Sequence, residues 1–303
     1  MAEAHRWVDL IDPNPDELRE HLGERLYGPA MDLLAGPPAH GKEQRPRIES
    51  HGEYIFGVLL VPVAVRDEDR VYNQEVDFVL APEKFLTVSK TPAGEQPFDP
   101  RPAKESCLPD EPIGMYLYRL VDEVAERYLD LIDDVNDEID ELEDAVDTWP
   151  PARIRDRVSA LRHDLLHIRK TLGPTRDAAR NVMDDRVELD EGELFPREVD
   201  LNFAEAYDKL LRASDGLDLS RDLVAGVRDY FQSKIANEQN EVVKRLTVIA
   251  SILLLPTFIV GLYGQNFDHI PELGWSFGYW WSWGWIVGST IAQLAWFRWK
   301  RWI

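Results

Sequence analysis

Residues 246–267 read LTVIASILLLPTFIVGLYGQNF and carry no charge across 22 positions. Residues 273–297 read LGWSFGYWWSWGWIVGSTIAQLAWF and carry none across 25. A helix needs ~20 predominantly apolar residues to cross a bilayer, so each run is long enough. The residues between them, Asp268-His269-Ile270-Pro271-Glu272, are too few to form a domain. The expectation is a hairpin of two transmembrane helices. Eight of the ten tryptophans fall between Trp275 and Trp302. Amphipathic rings collect at membrane–water interfaces, which assigns Trp275, Trp280 and Trp281 to the outer face and Trp296, Trp299 and Trp302 to the inner one. Lys244 and Arg245 precede the first run, and Arg298, Lys300 and Arg301 follow the second, whereas the loop has no Lys or Arg. The positive-inside rule then predicts a multi-pass protein of the cytoplasmic membrane, with both chain ends cytoplasmic.

The remainder has a different character. The 303 residues carry 34 Lys and Arg against 56 Asp and Glu, a net charge of −22. The stretch 246–303 holds three basic and two acidic residues, so the preceding 245 residues carry −23. An acidic surplus cannot neutralise phosphates, which argues against a nucleic-acid partner. Hydrophobic residues make up 44% of the chain, enough for a packed core. The single cysteine, Cys107, excludes an intramolecular disulfide or a cysteine zinc cluster. The first residues contain no apolar run, so no secretory signal peptide is expected.

The soluble part reads as α/β at 1–109. RWVDLI at 6–11, YIFGVLLVPVAV at 54–65, VYNQEVDFVL at 71–80 and KFLTVS at 84–89 have strand composition, with a charged turn at 66–70. The acidic, proline-bearing run 12–17 signals a helix start. Prolines mark 92–112 as a linker. A helical hairpin is expected at 110–195. Val121, Val124, Tyr128, Ile132, Val135, Ile139, Leu142 and Val146 recur at steps of three and four. The opposite face is acidic, since 122–147 holds 13 acidic residues and one basic, Arg127. Trp149-Pro150-Pro151 breaks this helix, and the next, to about Asp184, is basic. The two are expected to attract one another, or to bind cations through crowded carboxylates. Gly173-Pro174 is expected to kink or divide the second. A stalk helix is expected at 196–245, running without interruption into the hairpin at 246–303 with its outer loop at 264–273. There is no proline between Pro196 and Pro256, and sixty helical residues would span ~90 Å.

The first apolar run carries the functional signal. Read in heptads, one seam is Asn240, Thr247, Leu254 and Gly261, and its neighbour is Val243, Ala250, Thr257 and Gly264. The stripe is small and polar apart from Leu254. Such a stripe serves close helix packing or a water-facing wall. Two spans cannot enclose a pore, so a pore requires a homo-oligomer with this stripe toward the axis.

The run ends Tyr263-Gly264-Gln265-Asn266-Phe267. Here the sequence resembles the CorA family of magnesium channels. Its signature is Gly-x-Asn at the outer end of the first of two C-terminal spans. The resemblance continues through Pro271-Glu272-Leu273, the basic C-terminus and NEVVKRLT at 240–247. It extends more weakly over Phe203, Tyr207, Asp208, Arg221, Asp222 and Asp229. Gln265 stands where the family usually has Met, and Pro256 lies one residue later than is common.

The resemblance implies a funnel-shaped homopentamer with an α/β cytoplasmic domain, a long stalk helix and two transmembrane helices. It implies a selectivity filter at Gly264, Gln265 and Asn266, and constrictions at Asn240, Leu246 and Leu254. Thr257 and Gly261 line the wider path, beside Thr247 and Ala250 of the stripe. It implies Mg²⁺ both as cargo and as the regulatory ion that holds the channel shut, with Glu205 and Asp229 as regulatory carboxylates. Mg²⁺ is small, hard and slow to shed water. A ring of freed carbonyls and Asn266 side chains can therefore pass the hydrated ion without trapping it. Asp268 and Glu272 would concentrate cations at the mouth. Co²⁺, Ni²⁺ and Zn²⁺ are further cargo candidates. The related zinc/proton branch, ZntB, shares the Gly-x-Asn ending, and His269 suits zinc. A non-transporting membrane sensor or scaffold is the reading of another class. No nucleotide-binding loop or nucleophile–base arrangement appears, so no enzyme is expected.

Overall fold

The computed structural model describes residues 6–23, 28–37, 44–65, 70–108, 110–190, 193–266, 268 and 270–303. The chain divides into two compact units, Met1–Arg228 and Asp229–Ile303. The turn at 66–69, the first five residues, Phe267 and His269 lie outside the described residues.

In the first unit the described strands are β1 (Trp7–Ile11), β2 (Arg47–Ser50), β3 (Ile55–Val65), β4 (Arg70–Ala81) and β5 (Lys84–Lys90). They form one sheet in the order β1-β5-β4-β3-β2. β1 pairs parallel to β5, with Trp7 opposite Phe85, and the other pairings are antiparallel. β3 is the longest continuous apolar run and is buried from Ile55 to Pro62. Pro62 is tolerated because β2 covers β3 only from Ile55 to Val58, so the missing donor falls beside an uncovered edge. Gly57 is required by a neighbour: a Cβ there would lie 2.2 Å from Cζ of Phe78.

Helices α1 (Pro15–Leu22) and α2 (Gly28–Ala35) pack Leu18, Ala30 and Leu34 with Phe56, Val58, Val79, Leu86 and Val88. Asn14 caps α1 through a reciprocal box with Glu17. A short helix α3 (Arg101–Glu105) interrupts the stretch expected as a linker. Next come α4 (Gly114–Ala145) and α5 (Pro151–Met183). The expected apolar face of α4 is buried along its length, and Tyr128 donates its hydroxyl proton to the Leu60 carbonyl at 3.2 Å.

Of the expected kink or division at Gly173-Pro174, division is corrected here. α5 runs through Gly173-Pro174 as one helix. Pro174 removes the partner of the Lys170 carbonyl, but Lys170 is exposed, where water can replace that bond, while Thr171, Leu172 and Thr175 are buried. The expected attraction of acidic α4 for basic α5 is present, but it is shared with a third helix. Arg157 pairs with Glu138 between them, but Lys209 holds Asp122 at 2.7 Å and Glu126 at 2.6 Å.

Lys209 belongs to α6 (Arg197–Tyr263), a single 67-residue helix. In the first unit its buried residues are Val199, Phe203, Ala206, Leu210, Ala213, Leu217, Ser220, Val224 and Val227. These alternate in steps of four and three, the 3.5-residue period of a packed helical seam. From Arg228 to Thr247 no described α6 residue is buried. The second unit continues with α6, a 3-10 turn at Pro271–Gly274 and α7 (Gly278–Trp299). A Cβ at Gly278 would lie 2.3 Å from the Glu272 carbonyl oxygen, so only glycine fits this chain reversal.

The sheet also holds a buried ion cluster. Lys90 on β5 places Nζ 2.5 Å from Glu75 and 2.7 Å from Asp77 of β4, and all three side chains are at most 5% exposed. Burial pushes the Asp77 carboxyl up to about 7, against the lowering effect of Lys90; Glu75 adds to the rise, and Arg47 opposes it. The folded protein thus holds the Asp77 proton more tightly than the unfolded chain. That contribution is complete below pH 3.8 and is lost as pH rises toward about 7. Burial lowers Lys90, but the two carboxylates outweigh it and raise it, so its contribution is lost only at more alkaline pH. Asp77→Asn should therefore flatten the decline of unfolding midpoint between about pH 4 and pH 7. Thermal melts at a series of pH values measure this, and an unchanged slope would dismiss Asp77 as its source.

Candidate ion pathway

The second unit sorts the apolar residues of α6 onto different faces. Val248 is buried, and Ser251, Ile252, Leu255, Pro256, Ile259 and Tyr263 are half-buried. Asn240, Val243, Thr247, Ala250, Leu254, Thr257, Gly261 and Gly264 are all exposed. At 100° per residue the centres of these two sets lie about 150° apart around the helix axis. The polar and small stripe is thus left uncovered by its own chain. Leu254 is 71% exposed, the extreme expected of a bulky residue with nothing packed on it. Leu246 is exposed at the margin of the stripe.

The two hydroxyls on this stripe are satisfied within the helix. Thr247 Oγ1 donates to the Val243 carbonyl at 2.8 Å, and Thr257 Oγ1 donates to the Leu253 carbonyl at 2.6 Å. These hydroxyls return to the preceding turn and need no outside partner. Pro256 lacks an N–H and leaves the Ile252 carbonyl without its usual bond, yet α6 passes through it unbroken. Gly261 has open space around the position of a Cβ.

α6 ends at Tyr263, just before the motif. Gly264 donates to the Val260 carbonyl at 2.9 Å, and Gln265 to that of Leu262 at 3.4 Å. A helix end releases carbonyl oxygens from intrahelical bonding, so this terminus offers the hard oxygen acceptors that Mg²⁺ takes. Gly264, Gln265 and Asn266 are exposed, as is Asp268. Glu272 is half-buried in the 3-10 turn, where its carbonyl accepts from Trp275 at 3.3 Å.

The two regulatory candidates are less gathered. Glu205 is exposed on α6 in the first unit, and its charge helps to raise the Tyr118 phenol, after burial and Asp122. Asp229 is exposed where the second unit begins. Among the described residues, no group of three or more His, Cys, Asp and Glu side chains is placed to hold a metal ion.

Sequence reading did not single out the α6 face that meets α7. Ser251, Ile252, Leu255, Pro256 and Ile259 sit in a run that is apolar on every side, so periodicity has no contrast to detect. Nor did it mark Glu75, Asp77 and Lys90, whose alternation resembles an ordinary half-exposed strand.

The chain matches the family described as CorA-like Mg²⁺ transporter protein over residues 2–301. It is 30% identical over 301 residues to the cobalt/magnesium transport protein CorA of Thermotoga maritima, covering 98% of this chain and 83% of that one. It is 26% identical over 191 residues to the zinc transport protein ZntB of Yersinia enterocolitica, covering 63% of this chain and 56% of that one. The structure of the CorA magnesium transporter from Methanocaldococcus jannaschii superposes with a TM-score of 0.79 at 23% identity, covering 98% of this chain and 91% of that one, a likeness of fold. An almost end-to-end match of sequence and fold places the chain in the CorA-like Mg²⁺ transporter family, whose members are transporters and not enzymes.

Proposed function

We propose that the protein is a homopentameric Mg²⁺ channel of the cytoplasmic membrane, gated by intracellular Mg²⁺. The observation that carries this reading is the separation of α6 into a face toward α7 and an uncovered small, polar stripe ending at Gly264-Gln265-Asn266. One chain cannot wall off an aqueous path with that stripe, whereas identical helices around an axis can. α6 has the length and composition to cross a bilayer, and α7, tryptophan-flanked and without charge from Gly278 to Phe297, is the second span. The positive flanks place both chain ends in the cytoplasm. The outward surfaces of both spans meet lipid.

The ion approaches Asp268 and Glu272, which raise the local cation concentration. It binds, still hydrated, to Asn266 side-chain oxygens and to carbonyls released around Gly264. From Gly264 to Leu254 is about 15 Å along the helix, and from Leu254 to Asn240 about 21 Å. Leu254, with Leu246 further in, forms an apolar constriction that closes by losing water. Thr257, Gly261, Thr247 and Ala250 line the wider stretches. Asn240 marks the inner mouth. Glu205 and Asp229 bind regulatory Mg²⁺ between copies, so that falling internal Mg²⁺ releases the cytoplasmic units and opens the path. Membrane potential and concentration gradient supply the drive.

The Thermotoga relative's name supports Mg²⁺ and Co²⁺ as cargo, with Ni²⁺ a candidate of like charge. The likeness to a zinc transport protein supports Zn²⁺ as cargo, and the second reading couples its movement to protons. Flux of Mg²⁺, Co²⁺, Ni²⁺ and Zn²⁺ into liposomes, with and without a pH gradient, separates the two. Mg²⁺ flux without a proton requirement is expected. Zn²⁺ flux that needs the gradient, with no Mg²⁺ flux, would replace this reading.

Two variants test the pathway itself. Asn266→Ala should lower Mg²⁺ flux about tenfold or more, equivalent to about 1.4 kcal/mol of lost ion stabilisation, while assembly persists. Unchanged flux would remove Asn266 from the filter. Single cysteines placed at Leu254, Thr257 or Gly261 should react with a water-soluble thiol reagent, and those at Ile252 or Leu255 should not. The native Cys107 gives little background, because burial pushes its thiol up to about 11. Equal labelling on both faces would mean that the stripe does not face water.

A further inference from the structure

On α7, Ser282, Ile286, Ser289, Thr290, Gln293 and Phe297 are more covered than the residues around them and fall on one helix face. Its hydroxyls turn back on their own helix. Ser289 Oγ and Thr290 Oγ1 both donate to the Ile286 carbonyl, at 3.1 and 2.8 Å. Gln293 behaves differently. Its Nε2 donates to the backbone carbonyl of Ser251 on α6 at 3.2 Å. A carbonyl only accepts, so the amide must present its N–H₂ side here. Its other end, Oε1, is buried and has no partner among the described residues. A leucine would fill the same space without leaving a buried acceptor unsatisfied. A polar side chain kept at such a cost inside a membrane segment points to a role.

The place it grips is informative. Ser251 lies on the turn before Pro256, and its neighbour Ile252 is the residue whose carbonyl has lost its helical donor. Gln293 thus reaches α6 where the helix is least held by its own backbone. Leu254 is three residues on, on the uncovered stripe, and the centre of that stripe is about 150° from the α7 face. A pull on Ser251 toward α7 therefore draws the Leu254 turn away from the stripe side.

We propose that Gln293 is a positioning residue for ion passage. Its hydrogen bond to the Ser251 carbonyl clamps α6 against α7 beside Pro256 and holds the Leu254 constriction back from the axis. This inference rests on the channel reading above. It makes Gln293 a part of the transport machinery that never touches the ion.

The test uses the full-length protein in liposomes. Gln293→Leu keeps the volume and removes the donor. It should lower maximal Mg²⁺ flux about threefold to tenfold, the range that one interhelical hydrogen bond in lipid corresponds to. The Mg²⁺ concentration for half-maximal flux should stay unchanged, because binding occurs at the outer mouth. Gln293→Glu supplies the control for a purely structural role. Its carboxyl, when neutral, can donate to the Ser251 carbonyl, and when ionised it cannot. Relative to wild type at each pH, flux of this variant should approach wild type once the pH is low enough to protonate the carboxyl and fall as it ionises, in a series from about pH 4 to about pH 8.5. Because one preparation is compared with itself, a folding defect in Gln293→Leu does not obscure the result.

A second readout does not need transport. A cysteine at Ile252 should be protected from a membrane-permeant maleimide with Gln293 present and become reactive in the Gln293→Leu background. If wild-type vesicles pass no ion, the channel reading falls, and the thiol result still judges the clamp. Unchanged flux in Gln293→Leu, no pH split in Gln293→Glu and continued protection of the cysteine at 252 would overturn the proposal.

Discussion

The backbone of α6 has to satisfy its own hydrogen bonds through the uncharged stretch, because hydrocarbon offers no water to replace them. That constraint keeps Arg197–Tyr263 a single helix even though Pro256 removes one donor. It also turns Thr247 and Thr257 back onto the preceding turns. With the helix forced to continue, the residues on it can differ only by face. One face packs on α7, another stays small and polar, and the motif at 264–266 follows where the helix is allowed to end. Each element of the candidate pathway is a consequence of this continuity.

In the first unit the same helix is held by packing instead. The buried seam from Val199 to Val227 repeats with a 3.5-residue period, and Lys209 anchors it to Asp122 and Glu126 of α4. Lys209 sits between two carboxylates, so the hydrogen bonds it donates outweigh its burial and raise its pKa. Much of the acidic surplus remains on exposed helix surfaces. Inside the sheet the logic reverses. Glu75, Asp77 and Lys90 are shielded from water, and that burial, with Glu75 beside it, raises the Asp77 carboxyl against the pull of Lys90.

The strands, the α4 face and the two uncharged runs were legible because each repeats a local rule over many residues. β3 is apolar along its length, α4 is apolar every third or fourth position, and residues 246–267 and 273–297 carry no charge. Runs without repetition were not legible. α3 is five residues long, and α2 has almost no polar contrast. Gly173-Pro174 did not divide α5, because the cost of Pro174 falls on an exposed turn while its neighbours are buried. The charge pattern of α4 and α5 implied mutual attraction, but charge along a chain does not state which helix lies opposite, and α6 took part of that role.

Composition, periodicity and the Gly-x-Asn ending were enough to determine that this is an α/β protein with a long helix entering a C-terminal hairpin, and to name the stripe that would line a path. These depend on neighbours in the chain. The structure alone decided which face of α6 is covered by α7, which carboxylates share Lys90, and where Gln293 finds its acceptor. Such contacts join residues 13 to 42 positions apart. Their energies come from burial and hydrogen-bond geometry, which exist only once the chain has been brought together.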